Sequence, residues 1–165
     1  MKQKKKKKSI KKQSKNYEKQ RKKVAKLHEK IKNQRSDFLH KLSNKYVNEN
    51  QVICMEDLNV KGLVKNKRLS KSISDAAWGE FARMLKYKSE WYGRDFIKVS
   101  TFYPSSQLCY NCSFKNPTTK NLSVRKYECP ICHSQIDRDY NAAKNILKEG
   151  LRILKETTGK EYKFN

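Results

Sequence analysis

The sequence predicts an α/β fold with a long basic helix before it and a four-cysteine ribbon inserted in it, on three observations. An apolar strand, a helix and a second strand follow one another between residues 51 and 102. Helical periodicity runs unbroken through residues 17–50 ahead of them. Two CxxC pairs then interrupt the α/β pattern before a final helix.

The charge balance narrows the class. The 165 residues hold 40 Lys and Arg against 16 Asp and Glu, a formal net charge of +24. Such a chain repels itself without a polyanionic partner, and nucleic acid is the usual one. No apolar run reaches the ~18 residues of a membrane span. The opening MKQKKKKKSIKK is charged where a signal peptide is apolar. A cytoplasmic, nucleoid-associated protein with no membrane partner is the expectation. Residues 1–35 alone carry 17 basic residues against Glu18 and Glu29, a net +15. Residues 1–16 are expected to form a disordered basic arm, too polar to bury a core. Its Lys4, Lys5, Lys6, Lys7, Lys8, Lys11 and Lys12 either contact phosphates or only solubilise; five consecutive lysines release counterions efficiently and favour contact.

From Tyr17 to about Asn48, Val24, Leu27, Ile31, Phe38, Leu42 and Tyr46 recur at helical spacing, with Leu39 alongside and no Gly or Pro between them. Residues 17–50 therefore read as one amphipathic basic helix, its second half packed on a core. Val52 to Met55 are continuously apolar, as in a strand covered on both faces, and end on Glu56 and Asp57. Residues 61–74 read as a polar basic loop. Ser74 or Asp75 then caps a helix to about Tyr92, with Trp78, Phe81, Leu85 and Trp91 near its buried side. Asp95 to Thr101 reads as a second strand. Strand, helix and strand with short joins make a βαβ unit, so the two strands are expected to run parallel. Two strands do not complete a sheet, and the remainder must come from a longer polypeptide or a partner.

The cysteines carry the most specific signal. Cys109 and Cys112 form one CxxC knuckle, and Cys129 and Cys132 form another after 16 intervening residues. Two such knuckles complete a tetrahedral thiolate cage suited to Zn2+. Disulfides are the competing reading, but a reducing compartment turns this spacing into a metal site. Four protein ligands leave no open position, so the zinc is structural. The ribbon is expected over residues 103–136, with a turn at Asn116-Pro117 and a strand-like LSVRKYE. His133 either replaces a ligand or is solvated, and Cys54 reads as a small buried hydrophobe. Tyr110, Phe114 and Tyr127 among Lys115, Lys120, Arg125 and Lys126 either bind nucleic acid or, for the aromatics, simply pack the ribbon.

DRDYNAAKNILKEGLRIL follows the ribbon, with its helix starting near Tyr140 and ending near residue 155. Asp139 or Asp137 reads as its N-cap. The other reading makes Asp139 and Glu56 ligands that converge with a third acid on two Mg2+ ions, a centre that hydrolyses phosphodiesters. Asp57 would then point to the opposite strand face.

In order, M-E-D-L-N-V, the AAWGEF helix, PSSQLCYNC, CPIC and DRDYNAAKNI resemble the C-terminal half of the TnpB/OrfB family. These are transposon-encoded, RNA-guided nucleases related to the type V CRISPR effectors. The likeness runs from about Ser9 to Leu154. It implies a partial RNase H-like (RuvC-type) core at residues 51–102, completed by a final helix at 137–155, with the zinc ribbon inserted between them and a tail at 156–165. It also implies that Glu56 is the second catalytic carboxylate, that Asp139 is the third, and that DNA and a guide RNA are partners. The family's first aspartate lies in a D-x-G strand upstream of the basic helix, whereas no acid here precedes Glu18. The glycine that often follows each CxxC is replaced by Ser113 and His133, implying a slightly strained knuckle. The expectation is a truncated transposase-like protein, catalytically incomplete unless a complementing N-terminal fragment supplies the missing strand. The alternative is a non-catalytic zinc-ribbon protein that binds DNA or RNA. A ribosome-associated ribbon protein would explain the composition, but not the carboxylates flanking the ribbon.

Overall fold

The computed structural model describes residues 14–121 and 123–162. The arm lysines Lys4 to Lys8, Lys11 and Lys12 lie outside the described residues, as does the side chain of Lys120. Helix α1 (Lys15–Glu49) confirms the long basic helix. The chain divides into two compact units inside it, residues 1–41 and 42–165. In the first unit the helix carries surface pairs, Arg21 with Glu18 and Lys41 with Asp37. Its Val24, Leu27, Ile31 and Phe38 are exposed.

In the second unit, the last turns of α1 bury Ser43 and Val47, while Tyr46 stays exposed and Leu42 half-buried. The packed face is thus turned away from the Phe38–Leu42–Tyr46 line that the apolar pattern marked. Its partner is α4 (Trp78–Trp91), which buries Met84, Leu85, Lys88 and Ser89. The Lys88 ammonium, 4% exposed, donates to Ser43 Oγ at 2.7 Å. Burial lowers its pKa from the usual lysine value. Tyr46 and Phe81 meet edge to face at 6.3 Å. Trp78 and Trp91, expected on the buried side, are 41% and 76% exposed.

Residues 61–74, read as a loop, instead include α2 (Val60–Leu63) and most of α3 (Ser70–Ala76). Asn59 caps the first through Gly62 N. Ser74 and Asp75 lie within α3 and do not cap α4, because the break falls at Ala77, in the left-handed region at φ 50°. Short side chains capable of capping outnumber the caps in KSISDAAW, which explains the misplaced boundary.

Strand β1 (Val52–Glu56) pairs in parallel with β2 (Asp95–Val99), Glu56 opposite Val99. The parallel βαβ unit follows the sequence reading. All five β1 residues are half-buried, however, not fully covered. The sheet contains only these two strands among the described residues. Helix α5 (Arg138–Thr158) lies on it so closely that a Cβ at Gly150 would sit 2.4 Å from Cys54 Sγ. Glycine is required there by that approach. It also fixes the faces of β1: Cys54 points at α5, so Glu56, two residues on, shares that side. Cys54 is half-buried, and desolvation lifts its thiol to about 11, which suits an inert packing group.

Helix α5 starts two residues before the expected Tyr140 and ends three after residue 155. The tail that follows returns to the sheet, where Lys160 and Tyr162 both donate to the Asp95 carboxylate. No helix among the described residues is long and apolar enough to cross a membrane.

The ribbon is built on β3 (Lys126–Glu128) antiparallel to β4 (Gln135–Asp137), with an isolated bridge between Leu108 and Lys115. Regular strand in LSVRKYE is limited to its last three residues. Asn116 caps a 3-10 turn over Pro117–Lys120 through Thr118 N, where the turn was expected. Two buried asparagines on α5 fasten this ribbon. Asn141 donates to Leu108 O at 2.7 Å and accepts from Tyr110 N at 3.0 Å. Asn145 donates to Ser105 O and Leu108 O at 2.8 and 2.7 Å. Removing Asn141 leaves the Tyr110 amide without its partner and the Leu108 carbonyl with one donor fewer. Asn141→Ala is therefore expected to cost about 1–3 kcal/mol in denaturant unfolding of the zinc-loaded protein. A loss under about 0.5 kcal/mol, the low end of a hydrogen bond's net worth, would contradict it.

Candidate functional site

Two sites emerge. At the first, the Sγ atoms of Cys109, Cys112, Cys129 and Cys132 all lie within 4.8 Å of one another. Cys109 and Cys132 are 3.6 Å apart, and Cys112 and Cys129 are 3.5 Å apart. A disulfide would need ~2.05 Å. A tetrahedron with Zn–S bonds of ~2.3 Å has edges of about 3.8 Å, which these separations approach. The donor set therefore fits zinc. Its electrostatics argue the same way. The Ser134 hydroxyl and amide bring the Cys132 thiol down to about 6. The Phe114 amide lowers Cys112, but desolvation and the neighbouring sulfurs outweigh it and push that thiol up to about 12. Bringing all four to thiolates at this spacing requires a cation between them.

His133 is exposed and stands outside the cluster. It occupies the left-handed region at φ 57°, and Ser113 does so at φ 62°. Both follow a CxxC directly, where each knuckle turns back. Tyr127 is 0% exposed, and its hydroxyl donates to Gln107 O and Phe114 O. It is the ribbon's core and not a nucleic-acid contact. Tyr110, Phe114, Lys115, Arg125 and Lys126 are exposed.

The second site is a cleft of about 560 Å³ whose lining includes Glu56, Asp139, Arg138, Lys115 and the loop from Thr101 to Gln107. Both carboxylates singled out in the sequence thus border one space. Partial burial raises the Glu56 pKa above the ordinary glutamate value. Asp137, not Asp139, caps α5, its Oδ1 accepting from Asp139 N and Tyr140 N at 2.9 Å. Asp139 is left to project into solvent, its Oδ1 3.0 Å from the nearly buried Arg138 guanidinium. Asp57 leaves the strand end in another direction and pairs with Lys98 at 2.6 Å. Among the described residues, the cysteine cage is the only group of three or more acidic, His or Cys ligands. Two carboxylates do not make a two-metal centre by themselves, so no step is derived through Mg2+ here. Sequence reasoning missed Asn141 and Asn145, although a polar residue of poor helix propensity repeated at i and i+4 is a signal for tertiary hydrogen bonds.

Comparison with known proteins bears on the chain's family and fold. A family model described as "Probable transposase" (OrfB_IS605) matches residues 1–67, and one described as "Cas12f1-like, TNB domain" matches residues 78–146. A protein of Streptomyces pristinaespiralis named "Putative RNA-guided DNA endonuclease" is 48% identical over 125 residues, covering 76% of this chain and 31% of that one. InsQ of Escherichia coli K12, with the same description, is 32% identical over 143 residues, or 78% and 35%. The chain spans about a third of the length of these relatives. Among solved structures, a Cas12f1–sgRNA–target DNA complex aligns with a TM-score of 0.58 at 22% identity, over 74% of this chain and 36% of that one. That likeness is one of fold.

Two outcomes follow from the geometry. A non-glycine residue in the left-handed region costs ~1–2 kcal/mol, against the ~0.5–1 kcal/mol of entropy that glycine brings. His133→Gly is expected to hold zinc more firmly, by about 1 kcal/mol in the midpoint of a chelator titration followed by circular dichroism. An earlier midpoint would refute it. Glu56 is protonated more readily in the fold than in the unfolded chain, so ionising it costs stability as pH rises from glutamate's ordinary value through the raised one. Glu56→Gln should be more stable than the parent at pH 7 in metal-free buffer, and that gain should fade below about pH 4. Thermal unfolding at both pH values checks this.

Proposed function

Over residues 1–67 and 78–146 the chain is a member of the TnpB/OrfB family, and on that premise we propose that it is the ribbon-bearing C-terminal part of an RNA-guided DNA endonuclease. It binds nucleic acid and contributes Glu56 and Asp139 to an RNase H-like, metal-dependent cleavage centre. The observation that carries this reading is the shared cleft, bordered by an acid from the end of β1 and an acid from the first turn of α5. When completed, such a centre holds divalent cations that stabilise the attacking and leaving oxygens of a phosphodiester. The chain's own contribution is to hold two carboxylates on that cleft and to line it with Lys115 and Arg138, which attract a phosphate backbone. Arg138 also orients Asp139 through their ion pair.

These residues supply two of the three acids the chemistry needs. The third comes from an added strand, and β1 offers it an edge, since its only strand partner among the described residues is β2. An aspartate on a strand paired there would stand beside Glu56. The second reading, a non-catalytic zinc-ribbon protein that binds DNA or RNA, is favoured by the Asp139–Arg138 pair, which satisfies the acid without a metal.

Cleavage assays separate the two. The purified chain with Mg2+ or Mn2+ is expected to cut DNA no faster than the Glu56→Ala, Asp139→Ala variant. A peptide or longer polypeptide supplying the aspartate-bearing strand should restore guide-dependent cutting, but only where Glu56 and Asp139 are intact. Robust cutting by the chain alone, lost in Glu56→Ala, overturns the incompleteness. No cutting under any complementation favours the binding protein.

A further inference from the structure

Helix α5 carries a second surface that the cleavage centre does not use. Tyr140, Ala143, Lys144, Leu147, Lys148 and Leu151 line a cleft of about 610 Å³ together with Tyr110 and Asn111 of the first CxxC knuckle. At ~100° per residue these helix positions face roughly 120° away from Asp139, Ala142 and Ile146, which border the carboxylate cleft.

The arrangement of this surface is specific. The Lys144 ammonium lies 4.6 Å from the Tyr110 ring centroid and 4.9 Å from that of Tyr140, a cation shared by two rings. Tyr110 is 41% exposed and Tyr140 57%. Tyr110 is fixed from behind, because its amide is held by the buried Asn141 and its chain neighbour Cys109 belongs to the sulfur cage. The floor is apolar (Ala143, Leu147, Leu151), and the rim is basic, with Lys148 reaching toward Ser113 Oγ at 3.4 Å. No acidic residue lines the cleft. Two rings over an apolar floor, with cations and no acid at the rim, match a flat uncharged ring attached to a polyanion.

We propose that this cleft is a stacking slot for an unpaired base of a nucleic-acid strand. Tyr110 and Tyr140 supply the aromatic faces. Lys144, on its flexible four-carbon stem, swings from the rings to a flanking phosphate, and Lys148 meets the next. The inference rests on the nucleic-acid-binding reading above and adds where, and by what chemistry, a base is held. Stacking reads the face of a base and not its edge, so the slot is tolerant of sequence.

The test compares strands with and without bases. Full-length zinc-loaded protein is titrated at fixed salt with a fluorescent oligothymidine, an oligouridine and an abasic deoxyribose strand of equal length. Base-bearing strands are expected to bind about tenfold or more tighter than the abasic one, within the range known for base–aromatic stacking. Tyr140→Leu, which keeps apolar volume on an exposed helix face, should remove most of that preference while leaving abasic affinity unchanged. Tyr110→Leu with Tyr140→Leu should remove it entirely, with zinc content and melting temperature as folding controls. A preference seen with thymidine, uridine or both supports the slot and identifies which strand supplies the base. Equal binding of base-bearing and abasic strands, or full preference retained in Tyr140→Leu, overturns the slot while leaving nucleic-acid binding intact. No binding of any strand overturns the nucleic-acid reading, and the slot with it.

Discussion

The structure depends on how two carboxamides on one helix seize the backbone of another module. The Leu108 carbonyl receives hydrogen bonds from both Asn141 and Asn145, and the Tyr110 amide is held by Asn141 alone. A short ribbon has almost no core of its own, only Tyr127 with its sulfurs and Ile136. It cannot position itself on a neighbour through apolar area. Directional bonds to buried carbonyls replace that area, and losing one leaves a desolvated group rather than a vacancy water can fill. Because those bonds begin at the residue before Cys109, the cage and the helix are fixed to each other at the knuckle.

The cage supplies the other half of the constraint. Structural zinc contributes ~10–16 kcal/mol of apparent binding energy in small peptides, more than most domains possess in total. With zinc held by the four cysteines, that margin would let the knuckles tolerate Ser113 and His133 in left-handed conformations that glycine would enter freely. A strain of a kcal/mol or two is small against four thiolate bonds. The two-strand sheet is covered instead by α4 and by α5, whose close approach Gly150 allows.

Legibility in the sequence followed the range of the interactions. The cysteine quartet, the parallel strand pair and the long helix were readable because their signals are local: fixed spacing, β-branched runs and unbroken periodicity. The helix cap was left open between Asp137 and Asp139, and only coordinates decide which acid points at the first amides. Asn141 and Asn145 were missed for the opposite reason. Their i, i+4 repeat hints at a tertiary contact, but their partners lie 31–40 residues away and nothing adjacent in the chain names them. The exposed Trp78 and Trp91 misled for a related cause. Helical periodicity locates an apolar stripe, but which side is covered depends on the neighbour. Here that neighbour presents Ser43, which rewards an ammonium over an indole.

Seen along its axis, α5 divides its circumference among tasks. Near its N-terminus, Asn141 and Asn145 face the ribbon, Asp139, Ala142 and Ile146 face the carboxylate cleft, and Tyr140, Ala143 and Lys144 face the tyrosine-lined one. Two turns later Gly150 meets the sheet. A helix used on every side has little room for substitution at its start. It also couples the sites mechanically. A shift of the ribbon is felt at Asn141 and Asn145, and Asn141 is two residues from the acid at the cleft and one from Tyr140. The ribbon is therefore not an appendage to the α/β layer: through α5, its position sets where Asp139 stands relative to Glu56.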